Sequence, residues 1–454
     1  MSTDTNAPAR HMSIIDAICV VAAIVVGSMV FMAPKIVALN TSGPLEMMLT
    51  WVAGGFFCLC GALCYAELAT AYPKIGGEYV YITRAFGRMT GFGFVWARAT
   101  VIQTGSIAML AYVFGSYAAG ELNMGTNGPM IMAILATVVL TILNIIGLRP
   151  EKWILNTLTI AKIIGVLAIA AVGLLASSHA AAVPTTAPAG AGNSGAIGLA
   201  MVFVLLTYGG WNEAAYIAGE LKGKRRNMLW VLVGSIVLIT VIYLLINLAY
   251  LRMLGFEGMR QSDSLATDAV KNALGEWGNH GSIAVTILVA VSALAGMDGC
   301  MFTGSRAICA LGEDYTAFRP LGKWHGKFKT PTNALIVQSA IAAVLIILPS
   351  LGWGIGKLVG SGFRTAADYT APVFWTFLLL TGISLIVLRY KDPDCERPFR
   401  VPGYPLTIIL FVAMCGYMLY SAIAWTKTGA LIGLGVLLAG LPVYLALGRK
   451  PSES

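Results

Sequence analysis

Charge is what this sequence has least of. Only 11% of its 454 residues are Asp, Glu, Lys or Arg, where a soluble domain carries about 25%. Hydrophobic residues make up 57%, more apolar surface than a soluble fold of this length can bury. The net charge of +9 does not indicate nucleic acid. The basic residues sit in short segments between long apolar runs, as membrane orientation demands. Cysteine is sparse and unpatterned. Cys19, Cys58, Cys60, Cys64, Cys300, Cys309 and Cys415 lie in apolar runs and Cys395 in a basic loop, so neither a metal site nor a disulfide is expected. There is no G-x-x-x-x-G-K-[ST] phosphate loop, no zinc pattern and no catalytic triad. Neither an enzyme, a cofactor nor ATP-driven work is therefore expected. The first apolar run lacks an A-x-A-like cleavage site followed by a soluble body, which argues against a removed leader.

What the chain does have is a succession of apolar runs, each long enough to cross a ~30 Å hydrocarbon core. Twelve spans are expected, at 14–39, 45–69, 88–121, 128–148, 152–176, 195–220, 228–252, 281–311, 332–349, 357–388, 404–425 and 430–447. They are read as helices, making an all-α membrane protein, because a lipid-facing backbone must satisfy its own hydrogen bonds. With residues 1–13 and 448–454 as cytoplasmic tails, 20 of the 30 Lys and Arg residues fall in inner segments or at the span ends beside them, and five in outer loops or at the span ends beside those. That asymmetry puts both termini in the cytoplasm. The outer segment 177–194 is rich in Ala, Pro, Gly and Ser and reads as a flexible linker. Segment 253–280 reads equally as an external cap or a plain surface loop.

Two spans carry an internal interruption. The first reads Val25-Val26-Gly27-Ser28-Met29-Val30-Phe31 before Pro34, and the sixth reads Leu206-Thr207-Tyr208-Gly209-Gly210-Trp211-Asn212-Glu213. Glycine in a helix costs about 1 kcal/mol relative to alanine, and a freed backbone group in lipid costs several more unless something pairs with it. One reading is that these glycines permit close helix packing. The other is that the helix unwinds, offering N–H groups to an anion and C=O groups to a cation. The placement favours the second. The interruptions open two units of five spans each, 14–176 and 195–388, and an odd span number inverts the second unit. Matched breaks in inverted repeats mark a transporter's central site.

At these residues the chain resembles the amino acid–polyamine–organocation (APC) superfamily, and within it the L-type amino acid transporter branch. Val26 to Phe31 parallels I-G-S-G-I-F. Tyr65-Ala66-Glu67-Leu68, Pro73, Gly76-Gly77-Glu78-Tyr79 and Ala85-Phe86-Gly87 parallel Y-A-E-L, P, G-G-x-Y and A-F-G. Tyr208 to Asn212 parallels Y-G-G-W-N, followed by Glu220-Leu221-Lys222 and Arg225-Arg226-Asn227. Ser305-Arg306, Thr330-Pro331, Arg397-Pro398-Phe399 and Pro402 follow in order. The resemblance implies a leucine-transporter (LeuT-type) fold, five-plus-five inverted repeats with two extra helices at 404–447. It implies a secondary transporter or exchanger of amino acids or related amines in a bacterial-type inner membrane. Substrate carboxylate would meet the N–H groups of Ser28 and Met29 beside Gly27. Ammonium would meet the carbonyls of Val25, Leu206 and Gly209, with Thr207, Trp211 and Asn212 alongside. Leu206 stands where relatives often have an aromatic gate. Met29 departs from the family's third glycine and crowds the carboxylate end, which keeps a decarboxylated amine open as substrate.

Ionisable residues at membrane depth usually have a use. Lys162 matches a family lysine standing where sodium-coupled relatives bind their ion. It is expected to tie span 1 to span 8, with or without moving a proton, or else to snorkel to the inner face. Glu213 either recognises a cationic side chain, carries a proton, or forms a structural pair with Arg98. Asp298 and Arg364 are further candidate partners. Glu67, Glu220 and Arg84 lie near the inner face, as a gate or as interfacial pairs. Trp211 either walls the pocket or packs in the core. The loop from Glu121 to Gly128 lacks the cysteine through which eukaryotic relatives join a glycoprotein. No disulfide-linked partner is expected, only substrate and lipid, with the chain as a monomer or loose homodimer. A sensor built on the same fold is the alternative. Such sensors tend to carry long soluble extensions, and these tails are short.

Overall fold

A computed structural model describes residues 13–73, 77–146, 151–175, 196–214, 227–262, 264–328, 330–348, 362–426 and 428–446. Among them there is no strand. Eight helical stretches are long and apolar enough to cross a membrane, and three apolar helices are shorter: Met29–Leu39, Ile160–Leu175 and Thr332–Ile347. The outer faces carry what a lipid solvent requires. On α7 (Gly128–Ile146), Ile131, Leu135, Val138 and Ile142 recur every three or four residues, and each is about half exposed. They form one continuous apolar stripe.

The first expected span is two helices, α1 (Ile14–Val25) and α2 (Met29–Leu39). The chain continues through α3 (Pro44–Ala71) and α4 (Glu78–Phe86), the latter a short helix between Gly77 and Gly87, both at positive φ. Next come α5 (Arg88–Ala97), a π-helical turn (Arg98–Ile102) and α6 (Gln103–Glu121). Single π turns cluster at functional sites, and this one starts at a buried arginine. After α7 come α8 (Glu151–Leu175), α9 (Ala196–Tyr208) and a 3₁₀ turn (Trp211–Glu213). Helix α10 (Asn227–Gln261) is kinked at Gly255, where φ is 70°. Segment 253–280 is largely helical, completed by α11 (Leu265–Leu274). The rest is α12 (Gly278–Asp314), α13 (Thr332–Ile347), α14 (Gly362–Lys391), α15 (Leu406–Thr426) and α16 (Thr428–Ala446). The linker at 177–194, Glu220 and the side chain of Arg364 lie outside the described residues.

Packing puts the two halves of the chain face to face. Helix α2 lies on α9, α3 on α10, α6 on α12 and α7 on α13. Helix α8 touches α10, α12 and, lightly, α1. Buried hydroxyls seldom need a distant partner. Thr70, Thr137, Thr207, Thr370 and Thr381 each donate to the carbonyl four residues back, at 2.7–2.9 Å, which satisfies them within their own helix.

Candidate functional site

Helix α1 stops at Val25. There the Val26 N–H still reaches back to the Ala22 carbonyl at 2.8 Å, but the Gly27 N–H turns onto the Val25 carbonyl at 2.7 Å. Helix α2 restarts at Met29, with Phe31 N–H donating to the Ser28 carbonyl at 3.1 Å. The N–H groups of Ser28 and Met29 therefore precede the first intrahelical bond and form the positive end of a new helix. The Ser28 side chain is fully buried, yet its Oγ has no hydrogen-bond partner among the described residues. A buried hydroxyl without a partner is uncommon and asks for one.

Helix α9 ends in the same way. Gly209 N–H folds back to the Leu206 carbonyl at 3.0 Å, and Gly210 takes φ of 102°, a conformation that favours glycine. Glu213 N–H then closes the 3₁₀ turn on the Gly210 carbonyl at 3.0 Å. The two breaks lie side by side because one side chain holds both. The buried Tyr243 hydroxyl, from α10, lies 3.0 Å from the Val25 carbonyl and 2.8 Å from the Thr207 carbonyl, its one proton shared between them. Trp51 and Tyr208 each pack edge-on against Tyr243 and lie tilted to one another. Tyr243→Phe will strand the buried Thr207 carbonyl, leave Val25 O with the Gly27 N–H alone, and lower stability by about 1–3 kcal/mol, read as a fall in the thermal midpoint of the purified protein.

The sequence-expected residues divide into two groups. Val25, Gly27, Ser28, Met29, Leu206, Thr207 and Gly209 meet at the breaks. Thr207 is buried and bonded to its own helix, and Val25 O already takes both the Gly27 N–H and the Tyr243 hydroxyl. Beyond the break the chain turns to other partners. The Trp211 indole packs against Tyr65, with ring centroids 4.9 Å apart, and against Phe411 and Gly61. Asn212 Nδ2 donates to Glu78 Oε1 at 3.1 Å.

Glu213 pairs with Arg98, which grips both its carboxylate oxygens at 2.8 Å. The same guanidinium stands 3.6 Å from Glu78 Oε2, and the Tyr65 hydroxyl donates to Glu78 Oε1. Arg98 and Glu78 are almost wholly buried, and Glu213 is 18% exposed. This cluster joins α3, α4, the π turn and the 3₁₀ turn. Glu78 and Tyr65 were visible in the sequence only as motif letters. Tyr243 had no local signal at all, being one aromatic in an apolar run.

Further charges settle elsewhere. Glu67, fully buried, takes Arg389 through two bonds at 2.8 and 2.5 Å and the Val401 N–H at 2.7 Å, with Arg397 at 3.6 Å. Asp298 accepts from Asn144 at 2.5 Å. Arg84 stands 3.8 Å from Asp392 at the surface. Lys162 is buried in α8 at 2% exposure. Three residues on, a Cβ at Gly165 would meet Leu288 of α12 at 2.4 Å, so the two helices touch at this level. Ser292, one turn from Leu288, is fully buried with its Oγ unpaired among the described residues.

Sequence comparison identifies the family. The profile of the amino acid permease family matches residues 12–451. The chain is similar to the b(0,+)-type amino acid transporter 1 of Mus musculus, at 30% identity over 90% of this chain and 82% of that protein. It is similar to the serine/threonine exchanger SteT of Bacillus subtilis (strain 168), at 26% identity over the whole of both. It is also similar to the large neutral amino acids transporter small subunit 2 of Homo sapiens, at 28% identity over 96% of this chain and 80% of that protein.

Proposed function

Since this chain belongs to the amino acid permease family, we propose that it is a sodium-independent secondary transporter or exchanger of amino acids, working by alternating access. The family consists of transporters, so the chain is not an enzyme. The observation that carries the proposal is the pair of helix breaks bridged by Tyr243, with the Ser28 hydroxyl buried beside them and unsatisfied. Substrate carboxylate takes the N–H groups of Ser28 and Met29 and the Ser28 hydroxyl. Substrate ammonium takes the carbonyls of Leu206 and Gly209, because Val25 O already accepts two bonds. Met29, half-buried, sets the room at the carboxylate end.

Lys162 stands in for sodium. Its helix packs against both α1 and α12, which supports a cation acting at the joint between the first broken helix and its neighbour. The architecture is twelve spans in two inverted five-span units plus α15 and α16. The face-to-face packing of α2 on α9, α3 on α10, α6 on α12 and α7 on α13 supports it, since a two-fold axis brings equivalent elements together. Both termini face the cytoplasm of a bacterial inner membrane, and no disulfide-linked partner chain is needed.

The test is counterflow. Proteoliposomes loaded with unlabelled amino acid will accumulate the labelled one from outside, and empty vesicles will not. A sensor built on the same fold would give no accumulation in either.

A further inference from the structure

Segment 315–331 joins α12 to α13 and contains no Asp or Glu. It is held in place at several points. A Cβ at Gly312 of α12 would stand 2.2 Å from the Gly322 nitrogen and 2.6 Å from the Phe318 carbonyl oxygen, so only glycine lets the segment cross there. Thr330 Oγ1 donates to the Ile145 carbonyl at the end of α7, at 2.9 Å, and Asn333 Nδ2 to the Pro320 carbonyl at 2.8 Å. His325 N–H donates to the Thr330 carbonyl at 2.8 Å. The His325 ring stacks on Phe328, and its Nδ1 accepts the N–H groups of Lys327 and Phe328 at 3.3 Å.

This framework turns Arg319, Lys323 and Lys327 outward, all exposed, and none pairs with a carboxylate among the described residues. The contrast with nearby cations is sharp. Arg389 and Arg397 share Glu67, Arg84 has Asp392, and Lys391 donates to the Ala85 carbonyl at 2.8 Å. Trp324, between the basic residues, is 50% exposed. Arg306 lies on the exposed face of α12, its guanidinium 3.1 Å from the Phe302 ring centroid. It stands about 12 Å before the end of that helix at 1.5 Å rise per residue.

We propose that this segment binds the phosphate of an anionic phospholipid headgroup, with the Trp324 indole seated in the interface beside it. Three exposed cations that meet no carboxylate among the described residues attract an anion. A half-exposed indole at the end of an apolar bundle prefers the headgroup layer, and that selects lipid over a soluble acidic partner. The topology proposed above puts the segment at the inner leaflet.

The full-length protein, reconstituted in vesicles of brominated phosphatidylglycerol or brominated phosphatidylcholine, tests this. The Trp324 emission is isolated as the difference from Trp324→Phe. Brominated phosphatidylglycerol will quench it more strongly. The apparent preference will drop about fivefold for each charge removed along Arg319→Gln, Lys323→Gln and Lys327→Gln. It will also shrink as salt rises, since the screening length is about 8 Å at 0.15 M. Equal quenching by the two lipids in the native chain overturns the proposal. So does a preference indifferent to salt, a reading that needs no variant to fold. A Trp324 response to inorganic phosphate in phosphatidylcholine vesicles as large as the response to phosphatidylglycerol assigns the cations to a free anion and also overturns it.

Discussion

Arg98→Gln will unfold at a clearly lower temperature than the native chain, and adding Glu213→Gln will restore much of the loss. Removing the arginine strands Glu213 and Glu78 in a setting where Arg98 is 5% and Glu78 5% exposed. Breaking a buried pair in this way costs about 3–5 kcal/mol, whereas replacing both partners by neutral groups comes close to neutral. The double variant leaves Glu78 with its bonds from Tyr65 and Asn212, a smaller burden. The cycle is therefore expected to be non-additive by about 0.5–3 kcal/mol. Strict additivity in thermal unfolding of the two single variants and the double would mean that the three groups do not act as one unit. Transport should fall together with stability, because the cluster fixes the first turn beyond the second break, Trp211–Glu213, against α3, α4 and the π turn.

Lys162→Ala is expected to give the larger functional loss. Its side chain is at 2% exposure, and truncation leaves both a void and a missing amine in α8, the helix that packs on α1 and α12. Uptake is expected to fall roughly 100-fold, the scale on which small displacements of a binding geometry act, at every pH. Lys162→Arg, which keeps the charge but not the shape, should recover only part of it. Uptake unchanged in Lys162→Ala would remove the lysine from the mechanism. A large loss of folded protein with normal uptake per folded molecule would make it purely structural.

Much of this arrangement is legible in the sequence, because membrane helices announce themselves by length and apolarity, and because two glycine clusters interrupt them. Gly27 and Gly209-Gly210 are breaks for a reason the sequence carries locally: glycine followed or preceded by small polar residues within an apolar run. The long-range partners were not legible. Tyr243 reaches back 36 residues to Thr207 and 218 residues to Val25, and no spacing rule covers such a pair of contacts. Arg98 was readable as a costly charge, but not the way it divides itself between Glu213 and Glu78, because that depends on where α4 is folded back. Trp211 shows the same limit. Its position beside the break suits a pocket wall as well as a core residue, and only the packing against Gly61, Tyr65 and Phe411 says which neighbours it has. The helical content of 253–280 was half visible, since its polar, mixed-charge composition fits a surface loop and an external helix equally.

The central claim is that the two breaks hold the two ends of a zwitterion. The direct measurement is the thermal midpoint of the purified protein against a panel of α-amino acids, the matching decarboxylated amines and the matching deaminated carboxylic acids. Ligand binding to the folded state raises the midpoint by mass action, and a hundredfold excess over Kd stabilises by about 2.7 kcal/mol. At least one α-amino acid should stabilise the native chain, while its amine and its acid, each lacking one end, should not. Equal stabilisation by the amine alone, or by the acid alone, would contradict the two-ended site formed by Ser28 and Met29 on one side and Leu206 and Gly209 on the other.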